Sequence, residues 1–159
     1  IAAPALVELG VPPIVAHLYV IYWGLASFIT PPECIAVYIA CSLSGSKLWE
    51  TGWESMRLGI AVFIVPFAFV YNQALLMRGG VVEIIAATVT AFCGCVFVAA
   101  SMRGFFTEKL PFWGRALAFL GGLALIGPTT VLTTITGLGL GMLGAMGQVM
   151  IGKLRSVEL

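Results

Sequence analysis

The stretch 116-ALAFLGGLALIGPTTVLTTITGLGLGMLGAMGQVMIG-152 holds no charged residue. A bilayer core about 30 Å thick is crossed by a helix of about 20 apolar residues, so this run is long enough for two passes. Gly127-Pro128 divides it, because proline removes a backbone donor and clashes with the preceding turn; the turn is expected there. Two further uncharged runs cover residues 58–77 and 84–102, each of single-span length. Across the whole chain 60% of residues are hydrophobic and 9% are charged, against about 25% charged in an ordinary soluble domain. A water-facing surface cannot be built from so few charges, so the chain reads as an integral membrane protein.

Working outward, the polar segment 103–115 separates the span at about 81–102 from the one at about 112–127, and a last span follows at about 129–151. Gly137 and Gly141 in that last span lie four apart, the spacing that lets two helix backbones approach closely, and packing inside the same protein is expected of them. The span at 58–77 carries Pro66, where a kink is expected, and residues 78–80 turn the chain back. Ahead of it, residues 47–57 place Glu50, Glu54 and Arg57 at helical spacing beside Trp49 and Trp53, which reads as an amphipathic interfacial helix. The expected organisation is therefore three parts: 1–46 with a broken membrane element at 30–32, the interfacial helix 47–57, and four transmembrane helices in 58–159. The fold class is all-α, a polytopic transmembrane helical bundle with a broken helix or re-entrant element. With four spans, Lys47, Arg57, Arg103, Lys109, Arg115, Lys153 and Arg155 fall on one face and only Arg78 on the other. Basic residues collect on the cytoplasmic side, which places the C-terminus in the cytoplasm.

Other functions lose support on composition. A net charge of +1 without a Lys/Arg cluster gives nothing for nucleic acid to bind. Cys34, Cys41, Cys93 and Cys95 have no C-x-x-C spacing and no nearby histidine pair, so they read as small buried hydrophobes rather than metal ligands. No paired acids, H-E-x-x-H or nucleophile–base set stands at plausible spacing, so neither an enzyme nor a cofactor is expected. A channel fits poorly, because a lone acid would need symmetric copies to form a ring. The chain opens at Ile1 with no basic leader region, and is expected to be the C-terminal end of a longer protein.

The informative interruption is Thr30-Pro31-Pro32, with Gly24, Ser27 and Glu33 beside it, in the otherwise apolar stretch 12–45. Irregular backbone is tolerated at membrane depth only where protein or a water-filled cavity satisfies it. Pro31 and Pro32 lack donors, so carbonyls around Ser27 and Phe28 are expected to lose their helical partners and to suit a cation. Glu33 is the only acid between Glu8 and Glu50; an intramembrane acid suggests function, here binding a cation or accepting a proton, although a first-turn carboxylate at a helix start reads the same way. Gly24, Ser27, Thr30, Pro31, Pro32 and Glu33 are therefore the candidate ion- or substrate-binding residues. His17, the only histidine, and Tyr71 and Asn72 after Pro66 are possible cavity lining; as alternatives, His17 packs, Tyr71 sits in an interfacial belt and Asn72 caps a turn.

Taken together, His17-Leu18-Tyr19, Tyr22, Gly24, Ile29-Thr30-Pro31-Pro32 and Ala36-Val37-Tyr38 resemble the C-terminal part of TRAP transporter large permease subunits. The segments Thr51-Gly52-Trp53-Glu54-Ser55-Met56-Arg57-Leu58-Gly59 and Val65-Pro66-Phe67-Ala68-Phe69-Val70-Tyr71-Asn72 resemble the fused branch that works with TAXI-type binding proteins. Residues 11–77 carry the likeness; residues 81–159 match in pattern only. The resemblance implies an elevator-type symporter of the inner membrane in which a periplasmic binding protein delivers an organic acid, a small or fused membrane subunit assists, and sodium drives uptake. It also implies that Thr30, Pro31 and Pro32 lie near the ion and substrate sites. Glu33 stands where the pattern usually has an apolar residue, which brings in protons as an alternative coupling ion. The competing function is a non-transporting membrane scaffold subunit, with the prolines serving only as a kink.

Overall fold

A computed structural model describes residues 1–106, 110–128 and 130–155, with side chains described for all of these except 131 and 145–155. The described residues form eight α-helices, one short 3-10 turn and no strand. They divide into two compact units, Ile1–Gln73 and Ala74–Leu159.

The first unit contains α1 (Ala2–Glu8), α2 (Pro13–Ala26), α3 (Ile35–Ser44), α4 (Leu48–Leu58) and α5 (Ile60–Tyr71). Pro12 and Pro13 start α2 with the fixed φ that suits a first helical turn, and the Ala16 amide donates to the Pro12 carbonyl at 3.0 Å. α3 stops at Gly45, which takes the left-handed conformation at φ 69° and donates to the Cys41 carbonyl. α4 has Glu50 in its first turn and Arg57 in its last, each matched to the helix dipole. Those residues also form surface pairs, Lys47–Glu50 at 3.2 Å and Arg57–Glu54 at 3.0 Å. Trp49 and Trp53 are exposed together on α4.

α2 lies on α5 through a seam of aromatic rings. Tyr19 meets Phe67 and Tyr22 meets Phe69, both edge-on with centroids 5.4 Å apart, while Trp23 meets Phe63 at 5.9 Å. Edge-to-face contacts of this kind place the positive rim of one ring on the negative face of the other. α5 runs through Pro66 as one helix, and the chain bends by about 40° at Gly59, between α4 and α5. Pro66 is buried, and the backbone yields where a glycine breaks the ladder.

The second unit is a three-helix array of α6 (Val81–Arg103), α7 (Phe112–Ile126) and α8 (Val131–Arg155). The carboxylate of Glu83 reaches back to the Gly80 amide at 3.1 Å and starts α6; Gly104, at φ 68°, ends it. Arg115 from α7 then covers the end of α6, donating from Nε to the Ser101 carbonyl at 2.9 Å and from Nη2 to the Met102 carbonyl at 3.3 Å. The turn between α7 and α8 falls at Gly127-Pro128, where Thr133 Oγ1 donates to the Pro128 carbonyl at 2.6 Å. Glycines let the backbones touch. A methyl placed on Gly94 would stand 2.7 Å from the Gly122 carbonyl oxygen, and one on Gly121 would stand 2.6 Å from the Gly141 nitrogen. Gly137 and Gly141 thus pack inside the protein, both against Gly121 of α7, as their spacing implies.

Among the residues whose side chains are described, α6 is long and apolar enough to cross a membrane, and α4 with α5 make a second candidate if the bent pair is one broken span. At 15 residues α7 is shorter than a full span. α6 is mostly unburied, and Val82, Ile85, Val89, Phe92 and Val96 form an exposed apolar stripe along it. Such a stripe suits hydrocarbon, because water would oppose its exposure.

Candidate functional site

The end of α2 is built from hydroxyl back-bonds. Ser27 Oγ donates to the Gly24 carbonyl and Thr30 Oγ1 to the Ala26 carbonyl, both at 2.7 Å. The amides of Phe28, Ile29 and Thr30 turn inward to the carbonyls of Leu25, Ala26 and Ser27, each at 3.2 Å. This tight winding carries the chain to Pro31 and Pro32, whose shared peptide is cis. After it, Cys34 is fully buried and α3 begins.

The carbonyls around the break have partners, which corrects the expectation that they lie orphaned. Ser27 oxygen accepts from the Thr30 amide, Phe28 oxygen from the Ala36 amide at 3.1 Å, and Ile29 oxygen from Ser55 Oγ at 3.0 Å, a hydroxyl it shares with the Gly52 carbonyl at 2.8 Å. Proline removed donors from the helix, and the returning chain and α4 supply replacements. Each carbonyl oxygen has a second lone pair, so these groups stay usable as ligands.

α4 is the platform on which the break rests. Gly52, Ser55 and Gly59 line one face at helical spacing, and each meets the segment 29–31. A methyl on Gly52 would stand 2.6 Å from Pro31 Cγ, and one on Gly59 would stand 2.5 Å from Ile29 Cδ1. Sequence reasoning read α4 only as an interfacial helix and missed this role. The signal was present: three small residues at i, i+3 and i+7 on a helix otherwise rich in large and charged side chains.

Beside the break lies a cavity of about 290 Å³, lined by Trp23, Ala26, Ser27, Thr30, Pro31, Pro32, Glu33 and Phe63. Five of the six candidate binding residues therefore share one opening. Gly24 contributes through its carbonyl, which holds Ser27. Glu33 is exposed at the cavity, and among the described residues its carboxylate has no protein partner. His17, Tyr71 and Asn72 do not line this cavity: His17 and Tyr71 are exposed elsewhere, and Asn72 is buried at the end of α5 with its backbone N–H donating to the Ala68 carbonyl at 2.8 Å. Among the described residues no group of His, Cys, Asp and Glu could hold a metal ion, and all four cysteines are free.

The model of a protein family described as "Tripartite ATP-independent periplasmic transporter, DctM component" matches residues 1–84. That match contains the break, the platform helix and the cavity, and ends in the first turn of α6. No curated protein and no solved structure matches the chain.

Proposed function

The chain belongs to the DctM family of tripartite ATP-independent periplasmic transporters, and from that premise we propose that its first unit is part of the solute path of an ion-driven permease. The family is an inner-membrane transporter component, not an enzyme. The observation that carries the reading is the cavity of about 290 Å³ at the Thr30-Pro31-Pro32 break, inside the matched region. A mere kink in a lipid-facing helix would seal against its neighbours; this one opens beside an unpaired carboxylate.

In this reading the whole permease takes up an organic acid delivered by a periplasmic binding protein, with a small or fused membrane subunit as a further partner. The segments Thr51–Gly59 and Val65–Asn72 favour the TAXI-type branch. Movement is of the elevator kind. The chain is multi-pass with its C-terminus in the cytoplasm, supported by the segregation of basic residues and by the exposed apolar stripe on α6. Sodium is the coupling ion, with protons as the alternative that Glu33 makes available.

The test reconstitutes the complete permease in proteoliposomes with its binding protein and follows uptake of labelled organic acids by wild type, Glu33→Gln and Thr30→Ala. Uptake is expected to need an imposed sodium gradient and to fall in both variants. If a pH gradient alone drives wild-type uptake in sodium-free buffer, the proton is the coupling ion. Unchanged uptake in both variants would leave the break as a kink and return the scaffold reading.

A further inference from the structure

Nearly every polar side-chain group that borders the cavity can only accept a hydrogen bond. The hydroxyl hydrogens of Ser27 and Thr30 are spent on the carbonyls of Gly24 and Ala26, so both oxygens turn lone pairs outward. Pro31 and Pro32 have no amide hydrogen. Glu33 brings a carboxylate with no protein partner among the described residues. Ala26 and Phe63 add no polar side chain. Among the described residues the indole N–H of Trp23 is the one side-chain donor left on the wall, and no Lys, Arg, His, Asn or Gln stands there to receive an acid group.

Two features separate the classes of cation. Calcium and magnesium ions take six or more oxygen ligands at short range, whereas here the rings of Trp23 and Phe63 occupy part of the wall, held edge-to-face 5.9 Å apart. Aromatic faces attract organic cations through the ring quadrupole, tryptophan most strongly. The volume, about 290 Å³, also exceeds what a bare ion fills. We propose that this cavity seats the ammonium group of an organic solute against Glu33, Trp23 and Phe63; resting on the transport reading above, this makes the carried organic acid one that also bears an amine. Its carboxylate is recognised elsewhere in the permease, because the described side chains of this wall offer it only the Trp23 indole N–H.

The probe is propylammonium chloride, titrated into the complete permease in nanodiscs at constant potassium chloride, with sodium propionate, propionamide and sodium chloride as comparators. Binding is read from tryptophan fluorescence, and the change is assigned to the cavity if Trp23→Phe removes it. Propylammonium is expected to bind and the two propionyl compounds to leave the signal flat. Glu33→Gln is expected to weaken binding by about tenfold or more, as loss of a charge-assisted hydrogen bond does, and Glu33→Asp to recover part of it. Trp23→Ala, followed by competition with uptake, is expected to cost about threefold to tenfold. Equal binding of propionate, a response to sodium chloride with propylammonium inert, or a titration unmoved by Glu33→Gln would each overturn the assignment. Failure of this inference is distinct from failure of the transport reading: loss of uptake in Glu33→Gln and Thr30→Ala with no propylammonium binding keeps the permease and removes only the ammonium site.

Discussion

The two units solve helix packing in opposite ways. In the second, glycines bring backbone against backbone: Gly94 on Gly122, Gly121 on Gly137 and Gly141, Gly114 on Gly144. In the first, side chains fill the space between α2 and α5, and the one place where small residues gather, Gly52, Ser55 and Gly59, serves to hold an irregular segment rather than a helix. A backbone contact has no rotamer by which to yield, so an added side chain there is relieved only by moving a helix. The break in the first unit is held by side-chain hydroxyls and a proline ring on a glycine, a arrangement that keeps a cavity open beside it. The lesson is that small residues support either close packing or a site, depending on what they face.

That contrast can be broken by adding side-chain carbon at one glycine of each unit. Gly121→Val in the second unit places carbon 2.6 Å from the Gly141 nitrogen, where only helix displacement gives relief. Overpacking of this kind costs about 1–3 kcal/mol or more, and the expected result is the largest effect of the set: loss of folded permease, read by size-exclusion chromatography and thermal melting. Gly52→Ala in the first unit puts its methyl 2.6 Å from Pro31 Cγ, and a proline ring cannot swing aside. The break must shift. Folded protein should be recovered in near-normal amount while uptake falls by at least about tenfold, equivalent to about 1.4 kcal/mol. Ser55→Ala, which removes the donor to the Ile29 carbonyl, is expected to give a smaller loss of about fivefold from one hydrogen bond. If Gly52→Ala costs protein rather than uptake, the platform is structural and the contrast between the units fails.

Much of this was legible in the sequence because it is local. Uncharged runs gave α6 its place, Gly127-Pro128 marked the turn before α8, and Thr30-Pro31-Pro32 with Glu33 marked the cavity. The bend at Gly59 was not, because proline is the stronger local signal and Pro66 happens to be buried within a helix that runs on through it. Nor was the fate of the carbonyls at the break. Ile29 oxygen is satisfied by Ser55, far along the chain, and no periodicity within a window reports a partner that folding delivers from another helix. Trp23 and Phe63 were invisible as cavity walls for the same reason: each reads as an ordinary aromatic in an apolar helix until the two helices meet.

The smallest expected effect concerns His17, and it sharpens the comparison by testing where the cavity stops. On α2 the lining residues Trp23 and Ala26 and, just past its end, Ser27 and Thr30 follow one helical face. His17 precedes Trp23 by six positions, which at 1.5 Å and 100° per residue displaces it by about 9 Å along the axis and turns it roughly 120° away. An imidazole there is exposed and outside the cavity wall. His17→Gln should therefore leave both uptake and the propylammonium titration within error of wild type across about pH 5 to 8. A pH-dependent loss of uptake in that variant would mean that the solute path runs along the far face of α2, and the cavity beside Glu33 would then be a side chamber rather than the route.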